Sequence, residues 1–423
     1  MSKELEKYSD EIFKCIRCGA CRAVCPTFGE ELSEIAVARG RMALVEAVIE
    51  GDLDLTPAFE KAIFHCTMCG ACKANCPSGV DVPSILEAAR ADLVKQKGSE
   101  PLMRYLAKQA LKDKKAMDRS FLLMALGSAA YGPLSKTPLS KYLPMQPKGG
   151  AKRYFPKLPL KPLSKRVPEL SRVDKPKGTV AFFAGCVINY VYPEIGESTI
   201  AVLNRAGYNV LLAKSELCCG KPLKSLGEAD AYAALANDCT KVLAGMKADA
   251  YITACPTCAL TLKEDYPKIL PESDGARRVA DKVTDINKFI VEQSDLIKGL
   301  DGLETSVTYH DPCHLNFGLG IKKQPRELIH KATGGGLIEM AEADRCCGFG
   351  GSFSFMNYEL SGRIAERKAR NIATSEASLV ATACPGCMMH LRDALARTGN
   401  NIDALHTVQI IDKALRKQRG EKK

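Results

Sequence analysis

What this 423-residue sequence lacks narrows its class before any motif is read. No apolar run approaches the ~18–20 residues that a membrane-spanning helix requires. The longest, FLLMALGSAAY from Phe121 to Tyr131, reaches only about half that length and is expected to be a core helix. No secretory leader is legible: the chain opens MSKELEKYSDEIFK, charged from Lys3 onward, with no apolar h-region and no cleavage site. No G-x-G-x-x-G follows a strand-like run, and neither a Ser/His/Asp arrangement nor a flavin fingerprint is present. The chain therefore has no evident site of its own for a substrate's carbon skeleton, and such an oxidation must occur on a partner. The sequence also has no recognition-helix motif and little aromatic interleaving, which argues against nucleic acid as a partner.

What is there in excess is cysteine, 19 residues of it. Secreted disulfide scaffolds are as dense, but they are short and follow a leader. Here the count is odd and the residues sit in tight C-x-x-C groups, so metal–thiolate chemistry in a reducing cytoplasm fits better than bridges. The apolar fraction of 46% is that of an ordinary globular protein, and the length allows two or three domains.

Five regions separate along the chain. Residues 1–98 carry eight cysteines among helix-forming stretches such as Glu34–Glu50 and Val82–Lys97. Residues 99–132 read as amphipathic helices ending at Gly132-Pro133. Residues 133–178 hold nine of the 22 prolines and twelve Lys or Arg against two acids, Glu169 and Asp174, nearly the whole net charge of +11. So many prolines argue against regular structure, and an extended linker laid along a surface is expected. Its charge is either a solvated face or an attraction to anionic lipid or an acidic partner.

From there the sequence repeats itself. Two β-like runs meet a cysteine, TVAFFAGC at Cys186 and SVTYHDPC at Cys313. Two more lead into C-P-x-C, as ADAYITACPTC and ASLVATACPGC. Copies of one α/β unit about 130 residues apart imply like modules at 179–300 and 301–423, packed together.

The first eight cysteines form C-x2-C-x2-C-x3-C-P twice. Three thiolates at i, i+3 and i+6 wrap one face of a cuboidal cluster, and the fourth ligates the other cluster. Cys15, Cys18, Cys21 and Cys76 are thus assigned to one [4Fe–4S] cluster, and Cys66, Cys69, Cys72 and Cys25 to a second. Zinc, the alternative, favours two C-x2-C pairs separated by a longer loop. The helical pattern between Cys25 and Cys66 indicates the helix-rich ferredoxin type, and two single-electron clusters make a relay rather than an active site.

The repeated half offers two sets of five thiols: Cys186, Cys218, Cys219, Cys255 and Cys258, then Cys313, Cys346, Cys347, Cys384 and Cys387. An adjacent pair serves one iron poorly but can bridge two irons, which points to a cluster of unusual shape; a plain cubane on four of the five is the alternative. His310, Asp311 and His314 flank Cys313. They either hydrogen-bond cluster sulfur and deliver protons, or cap a helix starting near Pro312. His65 and His390 also lie beside cluster cysteines. Cys239 falls outside both sets and is expected to be a buried structural thiol.

On FAGCVINYVYPE, YHDPCHL and CCGFGGSFS the chain resembles the cysteine-rich (CCG) domains of heterodisulfide reductase. The full layout is similar to the iron–sulfur subunits of glycolate oxidase and D-lactate dehydrogenase, and to the corresponding subunit of anaerobic glycerol-3-phosphate dehydrogenase. The resemblance implies a helical ferredoxin domain followed by two tandem α/β CCG modules, with one or two further [4Fe–4S] clusters, noncubane in type. It also implies an FAD-containing dehydrogenase partner oxidising D-lactate or glycolate, and a quinone or other carrier as acceptor. A cytoplasmic place is expected, at most peripheral to the membrane. The alternatives are a catalytic subunit that reduces a disulfide at a noncubane cluster, and a relay for glycerol 3-phosphate oxidation.

Overall fold

The computed structural model describes residues 4–97, 101–111, 113–134, 156–215, 218–300 and 302–420. The first unit is all-helical. Helix Ala38–Glu50 stops at Gly51, whose φ of 85° suits the left-handed end of a helix. Thr56 caps the next helix, Pro57–Phe64, by accepting from the Phe59 N–H. Helix Val82–Lys97 agrees with the range read from sequence. Met42, Val45, Phe59, Ile63, Ile85, Leu86 and Leu93 make the core between them.

The second half is two sheets of one design, parallel except for the edge strand Leu170–Ser171. The first orders β1 (Leu170–Ser171), β3 (Tyr208–Leu212), β2 (Gly178–Phe182), β4 (Ala250–Thr253) and β5 (Val283–Asp285). The second orders β7 (Leu337–Ile338), β6 (Val307–His310), β8 (Leu379–Thr382) and β9 (Asp403–His406). Removing β1 leaves the same order in both, as the internal repeat predicts. Val180, Phe182, Ile252, Val380 and Ala404 belong to a single core that runs through both modules. Helices Pro193–Arg205 and Thr407–Gln418 are tied across it by Arg205 to Asp412, 2.7 Å, and by the Ser198 hydroxyl to Asp412, 3.1 Å.

Three expectations need correction. The proline-rich connector is not wholly without regular structure. Residues 135–155 lie outside the described residues, but Leu170 and Ser171 pair antiparallel with Leu211 and Val210, and Leu163 is fully buried against Gly196. The prolines flank this two-residue edge strand instead of interrupting it, so no ladder donor is lost. Second, the helix Lys114–Leu134 continues through Gly132-Pro133, two residues past the expected end. Third, the FLLMALGSAAY segment is not a core helix. Leu122, Leu123, Met124 and Leu126 are all exposed, while Met117 and Phe121 hold the foot of the helix to the first module. The Phe121 ring stacks on Tyr190 at 4.2 Å. Among the described residues, no helix is long and apolar enough to cross a membrane.

A buried ionic quartet joins the helical unit to the first α/β module. Lys221 reaches Glu87 at 2.8 Å and Asp265 at 3.0 Å, and Lys224 reaches the same carboxylates at 2.5 and 2.8 Å. Burial alone would push Lys221 down, but the two carboxylates outweigh it and hold it above its ordinary value. Arg90 adds bonds to Ser225 O at 2.9 Å and to Ile63 O and Cys66 O at 3.0 and 2.9 Å. Glu87→Gln leaves two buried ammonium groups sharing one carboxylate and should cost about 3 kcal/mol in anaerobic denaturant unfolding. Lys241→Gln, removing the exposed pair with Asp238, should change stability by less than about 1 kcal/mol.

Candidate iron–sulfur centres

Each ferredoxin-type loop is forced into shape by its backbone. Arg17 and Gly19 flank Cys18 with φ of 53° and 86°, and Met68 and Gly70 flank Cys69 with 59° and 77°. Two left-handed residues around one cysteine coil the chain tightly, and at Arg17 and Met68 the coil is held at a steric cost of about 1–2 kcal/mol each. After each glycine a short helix begins, Ala20–Val24 and Ala71–Ala74.

The two motifs exchange their fourth cysteines. Cys15, Cys18 and Cys21 surround one cavity together with Cys76, whereas Cys66, Cys69 and Cys72 surround another together with Cys25; Cys72 touches both. The Cys25 sulfur sits 3.2 Å from the Thr27 hydroxyl, which is fixed by its own bond to Ala36 O at 2.6 Å. Buried Arg41 braces the approach to the second loop through Ala62 O at 2.9 Å and His65 O at 2.8 Å. Burial pushes the Cys25 and Cys72 thiols up, so their thiolates require a cation beside them.

All ten cysteines of the two five-thiol sets line one cavity of about 150 Å³, with Thr67, Lys221 and His314 among its other walls. The reason is topological. Cys186, Cys255, Cys313 and Cys384 each follow the carboxyl end of a central parallel strand, β2, β4, β6 and β8, so both sheets aim their loops at one place. The adjacent pairs are delivered by turns at Gly220 and Gly348, with φ of 85° and 90°. A Cβ at Gly220 would stand 2.6 Å from the Tyr232 ring, and one at Gly348 would stand 2.9 Å from Ser361 O.

The thiols form a continuous series of hydrogen-bonding neighbours. In the first module it runs Cys186, Cys218, Cys219, Cys258, Cys255. In the second it runs Cys313, Cys346, Cys347, Cys387, Cys384. Cys255 meets Cys384, which joins the two halves, and Cys346 meets Cys69 of the helical unit. The Cys186–Cys218 and Cys347–Cys387 sulfurs are 3.5 and 3.4 Å apart. The neighbouring Cys218 and Cys258 thiols hold Cys219 well below its ordinary value, and Cys346 and Cys387 do the same for Cys347.

The flanking residues behave differently from one another. His314 ties three parts of the molecule: Nδ1 is 2.8 Å from the Thr257 hydroxyl and Nε2 is 3.4 Å from Met68 O. His310 is fully buried; burial, then Lys368, pushes it down to about 3, leaving a neutral ring. Asp311 faces away from the thiols. Both of its oxygens are taken by Arg326, at 2.8 and 2.6 Å, and it lines an outer cleft with Lys322 and Lys323. Nor does it cap a helix, because the π-helical turn His314–Gly318 starts behind Cys313 without a side-chain cap. His65 lies 3.6 Å from Glu31, and His390 props the second module's turn through Ser361, whose hydroxyl donates to Gly348 O at 2.8 Å. Cys239 is buried in the core of the first module. Lys221 and Lys368 were not singled out from sequence. Lys221 follows Cys-Cys-Gly directly, and Lys368 repeats at helical spacing between the buried Ile364 and Ile372, which was the available signal.

Iron–sulfur clusters are what such loops imply, and the residues fit them. The donors are soft thiolates, all 19 cysteines are free, and the His310 ring, which lies beside Cys347 and Cys387, has a buried Nε2 without a hydrogen-bond partner among the described residues. A dicluster helical unit with two thiol-lined α/β modules defines an iron–sulfur oxidoreductase subunit. Residues 11–80 match the model of a 4Fe-4S dicluster domain, and residues 180–263 and 307–392 each match that of the cysteine-rich CCG domain. The chain is 30% identical to a probable glycolate oxidase iron–sulfur subunit of Bacillus subtilis, over 95% of this chain and 93% of that one. It is 27% identical to a subunit of the fumarate reductase (CoM/CoB) of Methanothermobacter marburgensis, over 97% and 74%. It is 26% identical to a subunit of the dihydromethanophenazine:CoB–CoM heterodisulfide reductase of Methanosarcina barkeri, over 96% and 94%. The chain belongs to the family of CCG-domain oxidoreductase iron–sulfur subunits that includes the one from glycolate oxidase.

Cys76→Ser is expected to damage the centre at Cys15, Cys18 and Cys21 while sparing the one beside it in sequence. Low-temperature EPR of the reduced variant checks this, and loss of the other centre's signal would contradict the exchange.

Proposed function

We propose that this chain is the electron-transfer subunit of a flavin-linked 2-hydroxyacid dehydrogenase acting on D-lactate or glycolate. An FAD-containing subunit is its donor, and a quinone or another carrier its acceptor. This reading is carried by the end-to-end match to the iron–sulfur subunit of glycolate oxidase. Two [4Fe–4S] clusters would be held by Cys15, Cys18, Cys21 and Cys76 and by Cys66, Cys69, Cys72 and Cys25, and one further, noncubane cluster by each set of five. Bound there, such groups supply reversible one-electron chemistry. The residues provide the rest. Cys18 is exposed, which brings the first site within reach of a partner. Cys69 abuts Cys346, and Cys255 abuts Cys384, so the four sites are contiguous. Lys221 supplies positive charge at the wall of the common cavity.

A second reading has support from that cavity: a disulfide substrate held among ten thiols, Lys221 and His314, as the match to the heterodisulfide reductase of Methanosarcina barkeri would have it. Anaerobic purification of the native complex separates the two. The first reading predicts an FAD-containing partner and dye reduction by D-lactate or glycolate. Neither substrate reducing the dye, together with thiol-dependent turnover, would favour the second.

We infer a peripheral membrane contact through the exposed helix. Residues 120–134 carry no charge, and exposed Lys115 and Arg119 stand at their foot, an arrangement suited to anionic lipid. Leu123→Glu combined with Leu126→Glu should weaken co-sedimentation with phosphatidylglycerol-containing vesicles at least about tenfold, since each leucine contributes about 1.5–3 kcal/mol when buried. Unchanged sedimentation would contradict the contact.

A further inference from the structure

The two α/β modules are not equivalent, and the difference falls on one side chain beside the thiols. Strand register defines the matching positions. Phe182 pairs with Ile252 in the first sheet as Tyr309 pairs with Ala381 in the second, and each stands at the same sequence distance from its module's first cysteine. The next residue along is Phe183 in the first module and His310 in the second. Both are completely buried.

His310 is held in one orientation. Its Nδ1 lies 3.2 Å from the Ala343 carbonyl oxygen, which can only accept, so Nδ1 carries the proton and the neutral ring leaves a lone pair on Nε2. Nε2 has no hydrogen-bond partner among the described residues. A ring nitrogen of His310 and the Cys347 and Cys387 sulfurs all lie within 4.8 Å of one another, and the two sulfurs are 3.4 Å apart. A metal-bound histidine ordinarily donates its other ring N–H to a carbonyl or carboxylate, which fixes the tautomer and strengthens the ligand. His310 already makes that bond. Lys368, buried beside it, reaches the same Ala343 oxygen at 3.3 Å and places a cation next to a site rich in thiolate. Its counterpart in the first module, sixteen residues before C-P-x-C in both, is the neutral Cys239.

We propose that His310 Nε2 is an iron ligand in the second module, sharing its metal site with Cys347 and Cys387, and that the first module, with Phe183 there, is ligated by thiolates alone. A histidine serving only as packing would leave a buried nitrogen unpaired where the first module uses phenylalanine without that cost. The proposal rests on the reading that the second set of five thiols holds a cluster. It adds that the two clusters differ in ligand set and therefore in reduction potential.

The test uses the full chain purified without oxygen, with histidine labelled as ¹⁴N or ¹⁵N. Pulsed EPR of the paramagnetic state should show one strongly coupled imidazole nitrogen that changes with the isotope. His310→Phe, which copies the first module, should lose that coupling. His310→Cys should retain the wild-type iron content, lose the coupling and lower the midpoint potential of one centre only, because thiolate replaces a neutral ligand. Full iron and labile sulfide with no strongly coupled nitrogen would overturn the inference while leaving the cluster reading intact. Absence of labile sulfide from the second module would overturn the cluster reading itself.

Discussion

A buried thiolate needs a cation, and this fold exists to bury many of them together. Thiols crowded at hydrogen-bonding distance inside a protein are pushed strongly up or down by their neighbours, as Cys258 and Cys387 are raised and Cys219 and Cys384 lowered. Iron and sulfide bound there, as proposed, would resolve that conflict by taking these sulfurs as ligands. The remaining architecture serves to bring the sulfurs to the same places. Parallel strands deliver them from their carboxyl ends, left-handed residues coil the loops around them, and the Lys221–Glu87–Lys224–Asp265 quartet clamps the helical unit against the modules.

Much of this was legible because cysteine spacing is a geometric statement. C-x2-C-x2-C-x3-C-P implied exchanged fourth cysteines, and the structure brings Cys76 to the first loop and Cys25 to the second. The β-like runs before Cys186, Cys255, Cys313 and Cys384 became the four central strands, because apolar β-branched runs ending in Pro or Gly have few other options. The doubled spacing foretold two like modules. It did not foretell that Cys255 and Cys384 would meet, since the packing of one module on another is written in surfaces that a periodic pattern does not reveal.

Other features needed the third dimension. Asp311 looked like a neighbour of the thiols because it stands two residues from Cys313, yet β6 turns it outward to Arg326. Phe121–Tyr131 looked like core because it is apolar, yet nothing among the described residues covers Leu122, Leu123 or Leu126. Proline content hid the β1 edge strand. Most consequentially, the two modules read as copies until strand register matched Phe183 with His310 and the spacing to C-P-x-C matched Cys239 with Lys368. A repeated fold then carries two different electrostatic settings.

The central claim is that all four groups of thiols hold iron and sulfide in one contiguous series. Iron and acid-labile sulfide counted per chain, after oxygen-free preparation with the clusters preserved, test it most directly. Four four-iron centres predict about 16 of each. A count of about eight would confine clusters to the helical unit, and a colourless protein without labile sulfide would contradict the account altogether.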